Sequence, residues 1–186
     1  MGSATGVLAL QGDFEAHRRI LAGLGADARE VRTPADLESV ERLVVPGGES
    51  TTMRLLARNN DLIDPLRKRA EAGMPVFGTC AGLIVCAKRI LDGDPPVVPI
   101  VDIAIRRNAY GRQVDSFEAD VDVRGIGPVR AVFIRAPVIE EIGPGVEVLA
   151  ELNGRPVAVR QGRTLLCSFH PEIAGDGRIH QAFMEL

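Results

Sequence analysis

The sequence predicts an α/β fold with a mostly parallel central sheet, covered on both faces by helices, and antiparallel strands in its C-terminal half. Three observations predict it. In the first half, short apolar runs alternate with segments of helical period, the crossovers that parallel strands require. In the second half, strand-like segments follow one another with little helix between them. Between the halves, Gly78-Thr79-Cys80-Ala81-Gly82 marks a sharp corner from a buried strand into a helix.

The elements follow in order. Val7-Leu8-Ala9-Leu10 is an apolar strand ended by Gln11-Gly12. Residues 14–24 place Phe14, Ile20, Leu21 and Leu24 at helical spacing, with Gly25 as the stop. Residues 28–31 and 43–45 read as the next two strands, the latter ending at Pro46-Gly47-Gly48. Residues 51–72 read as helix with a break near Asn59-Asn60. Val76-Phe77 begins the strand before Cys80, and residues 81–88 read as the helix after it. Asp92-Gly93-Asp94-Pro95-Pro96 is a loop. Segments 97–105, 116–123, 129–135, 146–149, 156–159 and 164–168 read as strands, with Asn153-Gly154 as a hairpin turn. Residues 178–186 form a terminal helix.

A chain of 186 residues suits one domain, 1–186. A net charge of −3, one Tyr and no Trp, with no basic stripe, argue against a nucleic-acid partner. No apolar run is long enough to span a bilayer, and no basic segment with a hydrophobic signal core opens the chain. Cys80, Cys86 and Cys167 fit neither a disulfide framework nor zinc spacing, so a reducing, cytoplasmic setting is expected.

The chemistry concentrates at strand ends, where parallel sheets expose their active-site edge. Cys80 needs an adjacent base to attack as a thiolate. His170 could accept that proton and return it to a leaving amine, while Glu172 holds the imidazole tautomer. An extended chain across Pro171 would put both side chains on one side. Gly47-Gly48 could turn amides toward an oxyanion, with Gly48 and Ala81 as the candidate donors. The same loop also reads as a plain turn, with Ser50 or Thr51 capping a helix. Arg107 and Arg135 could grip a carboxylate and Glu49 could face an amino group, or these charges could form surface ion pairs. Gln11 lies at the same edge. His17, His170 and His180 are too scattered along the chain to suggest a metal cluster.

These motifs resemble those of the glutaminase subunits of pyridoxal 5'-phosphate synthase, within the class I glutamine amidotransferases. The resemblance rests on Gly6 through Gly12, Pro46 through Thr51, Gly78 through Leu83, Arg107 through Gln113, Ser116-Phe117-Glu118, Phe133 through Pro137 and Phe169 through Glu172. It implies a three-layer fold and a Cys80, His170, Glu172 triad. It implies an L-glutamine pocket at Gly48, Glu49, Ser50, Arg107, Ile134 and Arg135, and a partner-coupling role for Gln11. It also implies a (β/α)8-barrel synthase partner in a complex of twelve glutaminase and twelve synthase subunits, with no cofactor or metal on this chain. Pro99 and Tyr110 depart from the expected Gly and Phe. The alternatives are a glutaminase feeding another acceptor, such as a histidine-pathway synthase, a noncatalytic scaffold of the same fold, or a different small cysteine hydrolase.

Overall fold

The computed structural model describes residues 4–107 and 116–186. Its elements run β1 (Ala4–Leu8), α1 (Phe14–Gly23), β2 (Asp27–Val31), α2 (Pro34–Glu38), β3 (Arg42–Val45), α3 (Ser50–Asn59), α4 (Ile63–Glu71) and β4 (Val76–Thr79). They continue with α5 (Ala81–Cys86), β5 (Ala87–Ile90), β6 (Val101–Arg106), β7 (Ser116–Val123), β8 (Gly127–Ile134) and β9 (Val138–Ile142). The last are β10 (Glu147–Leu152), β11 (Arg155–Gln161), β12 (Thr164–Cys167), α6 (Pro171–Ala174) and α7 (Arg178–Met184).

A seven-stranded sheet runs β10-β11-β12-β4-β3-β1-β2. Pairing is parallel from β12 to β2, and β11 and β10 extend it antiparallel. Strands β5-β6-β9 form a small mixed sheet, and β7-β8 a two-stranded one. Alternation along the buried strands divides the core between the two faces. Val44, Phe77 and Leu165 share one apolar cluster with Leu21, Phe133 and Phe183. Leu43, Val45 and Leu166 share the other with Leu37, Met53 and Leu83. The resulting three layers are the expected architecture.

Strand order reverses beside β1, whose neighbours are β2 on one side and β3 on the other. Such a switch point opens a crevice at the carboxyl ends of the strands. The loops after β1, β3, β4 and β12 all emerge there, carrying Gln11, Gly48, Cys80 and His170.

Several boundaries differ from the sequence reading. The helix after Cys80 stops at Cys86, because residues 87–90 pair with β6 as a strand. Residues 97–100 lie outside that strand, which starts at Val101. The segment 51–72 is two helices, separated where Asp61 takes a positive φ of 54°. Helix α2 was not expected; Thr33 and Asp36 close a reciprocal capping box around it. Strand β9 was also unexpected and is fixed by antiparallel pairing with β6. The hairpin at Asn153-Gly154 has the two positive φ angles, 52° and 73°, of the expected tight turn. Residues 108–113 of the arginine motif, Tyr110 among them, lie outside the described residues. Among the described residues no helix is long and apolar enough to cross a membrane.

Candidate active site

Cys80 sits at the end of β4 with φ 49° and ψ −102°, a sparsely populated conformation for a side chain with a Cβ. Its surroundings impose this corner. The Cys80 amide donates to the Cys167 carbonyl at 2.9 Å, and α5 turns away immediately after it. Helix α5 can approach β3 only because residue 82 is glycine, since a Cβ there would overlap the Val45 carbonyl oxygen. Gly78 is confined too, with Leu166 Cδ2 at 2.7 Å from its notional Cβ. The thiol is left 6% exposed, its sulfur 3.7 Å from the Ile134 carbonyl oxygen.

His170 follows β12, anchored by its own amide on the Val132 carbonyl at 2.8 Å. The stretch after it is not extended. Pro171 occupies the first turn of α6, where its missing N–H costs nothing, and the helical turn swings Glu172 back toward the ring. His170 Nδ1 meets Glu172 Oε1 at 2.6 Å. Burial works against charge on His170, but hydrogen bonding and charge from Cys80 and Glu172 raise it to about 10. Burial likewise opposes ionisation of Glu172, yet the neighbouring His17 and the hydrogen bond with His170 lower it to about 2. The pattern favours a protonated His170 beside an ionised Glu172, with Cys80 as its other neighbour. Cys167 and Cys86 are buried, and burial pushes Cys86 up to about 12 and Cys167 well above the ordinary thiol range, so both remain thiols.

The loop after β3 closes the other side. Gln11 Oε1 accepts the Glu49 amide at 2.8 Å, and Asp13 donates its amide to the Gly47 carbonyl at 3.3 Å. Gly47 lies against the His170 imidazole: a Cβ there would overlap Cε1 and stand 2.9 Å from Nδ1. Gly48 has φ 152°, accessible to glycine and strained for other residues. The cap of α3 is Glu49, rather than Ser50 or Thr51. Its carboxylate accepts the Thr51 and Thr52 amides at 3.0 and 2.6 Å and the Thr52 hydroxyl at 2.7 Å. The Thr52 hydroxyl is the largest cause holding Glu49 down to about 2.

Gln11, Gly48, Glu49, Ser50, Cys80, Arg107, Ile134, Arg135 and His170 line one cleft of about 400 Å³. Ala81 opens α5 beside it and is buried. Arg107 reaches the cleft already paired. Its amide donates to Asp92 Oδ2 at 2.6 Å, its guanidinium meets Asp94, and Thr51 Oγ1 lies 3.5 Å away. Arg135 is exposed with φ 43°, which turns the chain back beneath the Ile134 carbonyl. The sequence reading missed Ile84 in the cleft wall and the pairing of Arg107 with the 92–94 loop. It also read three histidines as scattered. His17 Nε2 lies 3.5 Å from Glu172 Oε2, and His180 Nε2 lies 2.8 Å from His17 Nδ1. A histidine on the apolar face of the first helix was the available signal.

The profile of the SNO glutamine amidotransferase family matches residues 7–186. The chain is 53% identical to the pyridoxal 5'-phosphate synthase subunit PdxT of Mycobacteroides abscessus, over 100% of this chain and 98% of that one. Identity to the subunit of the same name from Thermus thermophilus is 53%, over 100% and 98%. A crystal structure of a glutamine amidotransferase superposes with a TM-score of 0.94 at 51% identity, covering 98% of this chain and 97% of its own.

Proposed function

The chain belongs to the SNO glutamine amidotransferase family, and on that premise we propose how its cleft works. It is a glutaminase, releasing glutamate and ammonia from L-glutamine, and the ammonia feeds the synthase subunit of pyridoxal 5'-phosphate synthase. Residues 1–186 act as one glutaminase domain.

Glutamine enters with its backbone end toward Arg107, Glu49 and Ser50 and its side-chain amide over Cys80. The thiolate attacks the amide carbon, and the carbonyl oxygen takes up negative charge that the Gly48 and Ala81 amides receive. Protonated His170 gives its proton to the departing nitrogen, so ammonia leaves and a glutamyl thioester remains. Water then attacks the thioester, His170 takes its proton, and glutamate leaves as Cys80 is regenerated. Glu172 holds the imidazole with Nδ1 bonded and Nε2 free to face the sulfur. Ile134 and Arg135 close the wall beside the thiol. Asp92 and Asp94 keep Arg107 in place and partly neutralised, which favours a bound carboxylate that can leave again.

The finer partner is a (β/α)8-barrel synthase, twelve copies with twelve glutaminases, with Gln11 bracing the loop at the docking edge. The observation that supports the reading most directly is the 2.6 Å His170–Glu172 bond behind a strained Cys80 in the same cleft as Gly48. Cys80→Ala in the assembled synthase tests it. Glutamine-dependent synthesis should fall about 10³-fold or more while synthesis from supplied ammonia continues. Retained glutamine-dependent synthesis would remove Cys80 from the mechanism.

A further inference from the structure

The triad carboxylate has two sides, and only one faces the cleft. Behind it lies a buried polar cluster. Glu172 Oε2 is buried and has no hydrogen bond of normal length among the described residues. His17 Nε2 faces it at 3.5 Å and also lies 3.2 Å from Thr79 Oγ1. His17 Nδ1 meets His180 Nε2 at 2.8 Å, and His180 Nδ1 has no partner among the described residues. Both rings are fully buried and pack edge-to-face with Phe77. Three histidines are thus strung through one carboxylate, from α1 and α7 to the cleft.

Counting protons orders this chain. One proton lies between His17 and His180. If His180 Nε2 carries it, His17 Nδ1 accepts and His17 Nε2 bears the other proton, pointing at Glu172 Oε2 and Thr79 Oγ1 as a shared donor. The remaining orphan is then a lone pair on His180 Nδ1. The opposite arrangement buries an unpaired His180 N–H, the rarer and costlier defect. In a neutral His17 it would also aim a bare nitrogen lone pair at a carboxylate. Burial lowers His180 to about 3, so this ring stays neutral in the working range.

We propose that His17 is a positioning residue of the glutaminase reaction, donating from Nε2 to the rear oxygen of Glu172, with His180 fixing the His17 tautomer. The proposal rests on the glutaminase reading and adds a second imidazole to the triad. His17 keeps Glu172 ionised and turned so that Oε1 meets His170, and His170 then presents Nε2 to the sulfur. The groups facing Glu172 are His170 from the end of β12, His17 from α1, and Cys167 at the end of β12. His180 and Asp176 act from behind His17.

The test measures glutamate release by the full chain with its synthase partner, across pH. His17→Leu should lower kcat about 10–100-fold, the loss expected when a charged group is left short of a hydrogen bond. KM for glutamine should change less than about twofold, since the lesion is behind the cleft. Glu172 is held near 2 against an ordinary 4.5, so losing the His17 bond moves its titration upward. The acid limb of the kcat profile should therefore shift to higher pH. His17→Gln places an amide N–H where Nε2 stood and should recover most of kcat and the acid limb. His17→Asn places it at the Nδ1 position and should not. If His17→Leu fails to fold, the Gln and Asn pair decides the matter. Equal kcat in that pair, or wild-type kcat in His17→Leu, overturns the positioning role. Wild-type complex that releases no glutamate overturns the glutaminase reading itself, and this role with it.

Discussion

The two loops that meet over the cleft are built on opposite plans. The corner after β4 is closely packed and buried: Gly82 leaves no room for a Cβ beside the Val45 carbonyl, Gly78 none beside the Leu166 side chain and the Gly82 backbone, and Cys80 is held at φ 49° between them. The loop after β3 has exposed Gly48 and Glu49, and its shape depends on a few polar bonds, from Gln11 to the Glu49 amide and from Glu49 to the first turn of α3. A strained nucleophile persists only where its surroundings over-determine it. On the proposed reading the loop after β3 has a different task, because its amides receive the substrate oxygen. The difference teaches which errors each loop should transmit. Damage at the first should appear as lost stability, and damage at the second as lost activity.

Gly82→Ala breaks the comparison most severely if it is wrong. The added methyl overlaps the Val45 carbonyl oxygen, which belongs to a central strand and cannot swing away. Overpacking typically costs about 1–3 kcal/mol and more where backbone must move, so a loss of at least about 3 kcal/mol is expected from urea unfolding. A wild-type midpoint would show that α5 is not pinned on β3. Gly47→Ala is the counterpart. Its methyl overlaps the His170 ring, a side chain that can yield. The ring's displacement breaks the alignment between Glu172 and Cys80, and misplacement by about 1 Å can cost about 10²-fold in rate. The prediction is a kcat loss of that order with a smaller loss of stability than Gly82→Ala. The reverse ranking would abolish the distinction between the two loops.

The same contrast explains what was legible in the sequence. The parallel half could be read because fully buried strands are short apolar runs, and the Cys80 corner because its flanking glycines are demanded by close packing. Helix α2 escaped because five residues carry no hydrophobic period; its signal was the Thr33-x-x-Asp36 box. Residues 87–90 were read as helix because nothing in Ala-Lys-Arg-Ile forbids it, and pairing with β6 decides the matter. β9 buries only two of its five residues and exists through its partner. Cys80, His170 and Glu172 could be singled out one at a time, but the helical turn that brings Glu172 back to His170 could not, since Pro171 suits either an extended or a helical conformation. His17 and His180 are 163 residues apart, and no local pattern announces a contact made between the first and last helices.

The smallest effect sharpens the description of the exposed loop. Glu49 was read as a glutamine contact, yet its carboxylate already accepts two amides and a hydroxyl at the start of α3. If capping is its main work, Glu49→Ala should cost about 0.5–2 kcal/mol of stability, as other caps do. The pH dependence carries a definite sign. Its folded value near 2 lies below the ordinary 4.5, so the stabilisation is whole above about pH 5 and fades as pH falls toward 2. The stability gap between wild type and Glu49→Ala, from urea unfolding at successive pH values, should therefore be level near neutrality and close in acid. A gap that persists unchanged below pH 2 would mean that the ionised carboxylate is not the stabilising group. Glu49→Gln then separates the two roles. It retains an acceptor for the helix but loses the charge, so a raised KM for glutamine with near-normal stability assigns the charge to substrate. An unchanged KM leaves Glu49 as the brace that keeps Gly48 within reach of the thiol.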